Sequence, residues 1–368
     1  SVGMPYPGNL TSPTYEYNEA TQSWKPKTHY PIGDLKPERT DSWEVGLDMK
    51  LFKDFNLGLS WYLANTFNQT FDPQISVSSG YTTIYLQTGY VRNTGLELSL
   101  GYGHTWNNNF RWDSNFTLSH NKNKIKELVR DYVHPETGEL INKDRLDVGG
   151  LGKARFILKE GGTLGDLYTQ SDLKRDDNGM VDIDPTGIVA IENNLPDIKL
   201  GSVFPKANLA WSNHFSWKGI SLSALFTARI GGIVYSATEA AMDQYGVSER
   251  SALARDNGGV LVNNRTLVDA QNYYTTIGSE SGLPQYYTYN ATNVRLQEAS
   301  IGYLIPRKWL GNVCDIQVSV IGRNLWMIYN KAPFDPESVA TTDNYYQGID
   351  YFMLPSTRNI GFNVKINF

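Results

Sequence analysis

Apolar and polar residues alternate with a two-residue period along much of this chain. The last segment shows it most clearly. Ile360, Phe362, Val364, Ile366 and Phe368 share one parity, and Asn359, Gly361, Asn363, Lys365 and Asn367 the other. Successive side chains of a strand point to opposite faces, so the segment has one greasy face and one wet face. The pattern recurs in Trp43-Val45-Leu47-Met49-Leu51, Leu57-Leu59-Trp61-Leu63, Leu96-Leu98-Leu100-Tyr102, Ile220-Leu222-Ala224-Phe226 and Ile316-Val318-Val320. The opposite faces carry Glu44, Asp48, Glu97, Arg229 and Arg323 among small polar residues. A water-filled lumen explains charge set so regularly on one face.

Nine strands are predicted, at 42–52, 56–67, 91–105, 110–123, 203–216, 219–231, 292–305, 315–328 and 357–368. The connections alternate between short (near 53–55, 106–109, 217–218, 306–314) and long (68–90, 124–202, 232–291, 329–356). Outer-membrane barrels sort their connections this way, with short periplasmic turns and long extracellular loops. Trp43, Trp61, Trp106, Trp112, Trp211, Trp217 and Trp309 suit an aromatic girdle, with core packing as the other reading. One strand changes phase: Val294 and Leu296 have one parity, Ala299, Ile301, Tyr303 and Ile305 the other. A β-bulge near Gln297 or Glu298 would restore a single face; the alternative is a strand starting at Ala299.

The fold class predicted is therefore all-β, a transmembrane antiparallel β-barrel. Mean hydropathy is −0.40 and no apolar run suits a transmembrane helix, which a barrel does not need. A net charge of −5 without a basic block argues against nucleic acid as a partner. Cys314, the single cysteine, allows no internal disulfide. No nucleophile elbow, P-loop or dinucleotide fingerprint is present, and no catalytic residue, metal site or cofactor is predicted. Residues 1–41 read as loop and show no signal-peptide pattern. Nine is an odd count where bacterial barrels have even ones. The expectation is that residues 1–368 are the C-terminal part of a larger barrel.

Several motifs carry a family resemblance. Asp34-Leu35-Lys36-Pro37-Glu38 through Trp43-Glu44-Val45-Gly46-Leu47 resembles the "LKPE…WE.G.D" segment of SusC/RagA-like TonB-dependent transporters. Asn93-Thr94-Gly95-Leu96-Glu97 is similar to the "N.G.E" strand of TonB-dependent receptors. Arg295-Leu296-Gln297-Glu298-Ala299-Ser300-Ile301-Gly302-Tyr303, Gly322-Arg323-Asn324-Leu325 and Ala332-Pro333-Phe334-Asp335-Pro336-Glu337 resemble later segments of that family in the right order. So do Tyr346-Gln347-Gly348-Ile349-Asp350-Tyr351 and Leu354-Pro355-Ser356-Thr357-Arg358.

The resemblance implies a multi-pass importer in the outer membrane of a Gram-negative bacterium, with a 22-strand barrel contributed partly by this chain. It implies an N-terminal plug and a TonB-contacting segment, neither of which these residues contain. It implies energy from the TonB–ExbB–ExbD system, a SusD-like surface lipoprotein as lid, and a dimer of transporter–lid pairs. The cargo implied is an oligosaccharide, or a peptide in some members. A siderophore-type receptor and a soluble secreted glycan-active β-protein are the rival readings.

Substrate or lid contact is expected from the loop tyrosines Tyr273, Tyr274, Tyr286, Tyr287, Tyr289, Tyr345, Tyr346 and Tyr351. Their faces suit sugar C–H surfaces and their hydroxyls suit sugar hydroxyls; loop packing is the alternative. Glu44, Asp48, Glu97, Arg111, Asp113, Arg229 and Arg323 are expected to face the lumen and meet the plug, or to form a solvated, mutually paired wall. The stretch 172–184, with Asp176, Asp177, Asp182 and Asp184, has oxygen chemistry suited to calcium but not EF-hand spacing; an acidic β-turn is the favoured reading.

Overall fold

The computed structural model describes residues 37–71, 86–133, 138, 140–279, 282–311, 313–341 and 346–367, with short strand segments at 15–18, 23–26, 29–30 and 83–84. Nine strands form one sheet: β1 Arg39–Leu51, β2 Phe55–Phe71, β3 Leu86–Thr105, β4 Arg111–Glu127, β5 Ala207–Trp217, β6 Ile220–Ile230, β7 Asn293–Ile305, β8 Asp315–Asn330 and β9 Asn359–Asn367. Each is antiparallel to its chain neighbour, so spatial order equals chain order. All nine strands and the alternation of short and long connections match the sequence reading. β1 and β9 are the edges of this sheet, each paired on one side.

Register explains the outward face. Met49, Leu57 and Leu100 lie side by side across three strands, as do Leu47, Leu59, Leu98, Leu118 and Leu209 across five. The rows continue through Phe116–Trp211–Phe226 and Ile301–Val320–Phe362. Many of these side chains lie open, Leu47 at 48%, Ile301 at 56% and Phe362 at 82% exposure, and the others are partly exposed. An apolar band this broad suits lipid rather than water. Asn213 and Ser114 are polar residues within it, and each meets an indole. The Trp112 indole donates to Asn213 Oδ1 at 3.1 Å, and Trp211 donates to Ser114 Oγ at 3.0 Å.

The expected bulge is present. Leu225 opposes Glu298 and Phe226 opposes Leu296, which leaves Gln297 as the extra residue in β7. At the opposite end of the hairpins, Trp217 pairs with Ile220 around Lys218 (φ 48°) and Gly219 (φ 87°). Two positive φ angles in a two-residue loop define a type I′ turn, the one whose twist fits an antiparallel pair. At Gly95 a Cβ would lie 2.2 Å from the Tyr62 ring, so this glycine lets the tyrosine lie across β3.

The long connections differ most from the sequence reading. Their described residues form a cap with strands and helices of its own. Between β4 and β5, Arg145–Leu151, Ala154–Lys159, Asp166–Thr169 and Ile198–Ser202 form a four-stranded sheet. For that reason β5 begins at Ala207 and not at 203: the preceding residues pair within the cap, and Val203 is buried there. Between β6 and β7 lie three helices, α1 Ala237–Gln244, α2 Glu249–Asp256 and α3 Ala270–Ile277. Ser236, Ser248 and Asp269 cap their first turns through side-chain oxygens. The fully buried side chains, among them Phe156, Leu158, Leu167, Leu283 and Tyr287, belong to this cap or to the strand ends beneath it.

Candidate functional site

The concave face of the sheet carries two hollows. The larger, of about 1060 Å³, is lined by Asp48, Lys50, Arg111, Asp113, His214 and Glu298 among others. The second, of about 810 Å³, includes Glu44, Asp48, Glu97, Arg229 and Glu337. Six of the seven luminal candidates therefore line a hollow directly. The seventh, Arg323, bonds Glu298 at 2.9 Å.

Their charge states of pairing differ. Arg111 grips Asp113 in its own strand at 2.6 and 2.7 Å. Glu44 accepts from Ser60 at 2.8 Å, and Arg229 donates to the Val203 carbonyl at 2.7 Å. Asp48 and Glu97 have no ion pair among the described residues. Lys50 and Arg229 likewise have no ion pair among the described residues, so charge of both signs is left free on this wall.

The motif residues turn out to be joints of the wall. Glu38 Oε1 accepts from the Thr70 backbone N–H at 2.8 Å and from Gln69 at 3.0 Å. Asn93 Oδ1 accepts from Asn121 and Asn123 on β4. Arg295, with a side chain only 5% exposed, reaches Asp335 through two bonds of 2.8 and 3.1 Å and Glu337 at 3.3 Å. Two motifs forty residues apart thereby become one clamp. Burial pushes the Asp335 carboxyl up, but its bonds from Arg295 and from the Glu337 N–H outweigh that, and its pKa is lowered.

The cap tyrosines divide into two groups. Tyr287 is fully buried, donates to Asp243 Oδ2 at 2.9 Å, and has the Arg250 guanidinium 4.8 Å above its ring. Asp243 also forms an ion pair with Arg250, 2.7 Å from its Nε, and accepts from Ser248. Burial, and then the Asp243 charge, raise the Tyr287 pKa far beyond the phenol range. This corrects the expectation that Tyr287 meets cargo or lid: it is a core residue whose hydroxyl is already used. Tyr273, Tyr274 and Tyr286 are half-buried against the same core, and burial raises each phenol, Tyr273 to about 12. Tyr289 packs edge-on against Phe334 at 5.7 Å. Tyr346 and Tyr351 are open, at 40% and 46% exposure. Tyr345 lies outside the described residues.

Sequence reasoning missed Tyr245. It caps the C-terminal end of α1 and is 75% exposed, facing a hollow of about 560 Å³ shared with Tyr351 and Phe352. Its only sequence signal is an isolated tyrosine before Gly246. The acidic stretch is a pair of turns: Asp176 Oδ1 accepts from the Asn178 and Met180 N–H groups, and Asp184 Oδ1 from those of Thr186 and Ile188. Those oxygens organise the backbone, as the turn reading expects.

Residues 3–147 match the family model described as TonB dependent receptor-like, beta-barrel. TonB-dependent receptor P3 of Formosa agariphila is 25% identical over 92% of this chain and 35% of its own length. TonB-dependent receptor P26 of the same organism is 24% identical over 91% of this chain and 35% of its own. The chain thus spans about a third of the length of the curated relatives it matches. The RagAB peptide importer in its closed-closed state shares the fold, with a TM-score of 0.66 and 19% identity over 96% of this chain and 38% of that one. The open-open state gives 0.65 at 18% identity.

Proposed function

We propose that this chain is a TonB-dependent receptor-type β-barrel protein of the outer membrane and that it supplies nine strands of a larger barrel that imports oligosaccharides. In this reading TonB–ExbB–ExbD supplies the energy, and a SusD-like surface lipoprotein closes the extracellular mouth. The observation that carries it is a polar, hollowed inner wall continuing into a folded cap that presents open aromatic side chains. A sheet with two edges cannot stand in lipid, where every unpaired N–H and C=O costs several kcal/mol; further strands would satisfy β1 and β9. The free carboxylates of Asp48 and Glu97 would face basic groups of a plug. Transporter–lid pairs would associate as dimers.

The test is uptake. Cells lacking the gene should lose growth on the oligosaccharide mixture that induces it, and the protein should co-purify with a surface lipoprotein in mild detergent. Unchanged growth would remove the import reading, and purification without a lipoprotein would remove the lid. A peptide cargo is the second reading, favoured by the shared fold with the RagAB peptide importer. Labelled peptides competing with oligosaccharide for uptake would establish it.

A further inference from the structure

The hollow beside Tyr245 differs from the two on the inner wall. It lies where three extracellular connections meet. Leu151 comes from the β4–β5 connection, Tyr235 to Ser279 from β6–β7, and Tyr351 and Phe352 from β8–β9. Its described lining contains no carboxylate, ammonium or guanidinium group. It holds open aromatic faces (Tyr245 75%, Phe352 59%, Tyr351 46% exposed) and the neutral polar side chains Gln244 and Ser279. A volume of about 560 Å³ lies within the range of small-ligand pockets.

Its walls are fixed before any ligand arrives. Tyr235 and Ser236 pair in parallel with Ile349 and Asp350. Ser236 Oγ donates to Asp350 Oδ2 at 2.5 Å, and the Phe352 N–H donates to Thr238 Oγ1 at 2.7 Å. Tyr351 and Phe352 stand edge to face, with centroids 5.2 Å apart. Beneath α1, the Asp243–Arg250–Tyr287 network holds the helix to the cap core. Rigid aromatic platforms lose little entropy on binding.

We propose that this hollow is a capture subsite for an uncharged sugar unit, with Tyr245 and Phe352 as stacking faces and Gln244 and Ser279 as hydrogen-bonding groups. The proposal rests on the oligosaccharide reading above and narrows it to neutral glycans. Aromatic faces match the C–H surfaces of a pyranose, and amide and hydroxyl groups match its hydroxyls. A uronate, a sulfate or a peptide terminus would enter a described lining that offers no opposite charge, a desolvation cost without compensation.

The test uses the full-length protein purified from outer membranes. It is presented to an array of neutral oligosaccharides, of uronate- and sulfate-bearing oligosaccharides, and of short peptides. Tyr245→Ala and Phe352→Ala remove side chains that stand open, so the barrel and cap should fold, which a heat-shift gel checks. Retention on neutral glycans that falls by about tenfold or more in both variants supports the proposal. No retention on neutral glycans, retention on charged probes alone, or neutral retention equal in wild type and variants overturns it. Failure here is separable from failure of import. Growth on oligosaccharide that depends on the gene but is indifferent to both substitutions keeps the importer and discards the subsite.

Discussion

Replacing Asp335 by alanine should be among the most damaging single changes at the rim of this barrel. The Arg295 guanidinium sits at 5% side-chain exposure and the Asp335 carboxylate at 11%, joined by two bonds of 2.8 and 3.1 Å. Deleting one partner of a buried pair leaves a charge without water or counter-ion and costs about 3–5 kcal/mol, whereas an exposed pair contributes about 1 kcal/mol or less. Glu337 remains 3.3 Å from Arg295, and Asn293 Oδ1 at 3.1 and 3.2 Å. The expected loss is therefore at the lower end, about 3 kcal/mol. Guanidinium unfolding in detergent, followed by the heat-shifted band, measures it. Adding Arg295→Met should recover part of the loss, since it removes the stranded charge. A cost for Asp335→Ala below about 1 kcal/mol, or a double variant as unstable as the sum of the singles, would refute the reasoning. Asp335 also fixes the sign of the pH dependence. Its pKa is lowered in the fold, so its contribution is complete above the unfolded value of 3.8 and is lost as the pH falls through the folded one. Wild type should weaken in acid more steeply than the Asp335→Ala variant.

Gly95→Ala puts a methyl group 2.2 Å from the Tyr62 ring and should destabilise the wall by about 1–3 kcal/mol; combining it with Tyr62→Ala should restore part of the loss in the same unfolding assay. Tyr287→Phe removes one of the donors to the buried Asp243 carboxylate, and the cap should lose about 1 kcal/mol, read by near-ultraviolet circular dichroism during heating. In alkali, Tyr168 and Tyr273 should ionise near pH 12, well after open phenols, visible in the absorbance of tyrosinate. Because both values are raised above the ordinary 10.0, their contribution to stability should be level below pH 10 and fall as pH rises from 10 to 12.

The wall was legible because lipid imposes a rule on every strand: each second residue must be apolar. Trp43 to Leu51 and Ile360 to Ile366 obey it without a break, and the lapse in β7 pointed to a bulge near Gln297 or Glu298, which the register places at Gln297. The cap was not legible. Its strands are short, its helices have eight residues each, and its core is assembled from segments far apart in sequence, such as Phe156, Leu167 and Tyr287. No local period announces such contacts. The same limit hid the function of the motifs. Arg295 and Asp335 were each noticed, but nothing in a sequence says that they touch. It also misassigned Tyr287, because composition cannot separate a tyrosine that faces solvent from one whose hydroxyl is spent on a buried aspartate.

The two ends of each long connection described in the cap enter adjoining strands. Ser119 of β4 stands opposite Asn208 of β5, and Arg229 of β6 opposite Asn293 of β7. A whole extracellular segment can accordingly be exchanged between such proteins as a cassette, because its attachment points are held a strand's width apart by bonds outside the cassette. Chimeras that swap 128–206 or 231–292 should therefore keep the recipient's strand register, because the pairs on either side of the exchanged segment lie outside it.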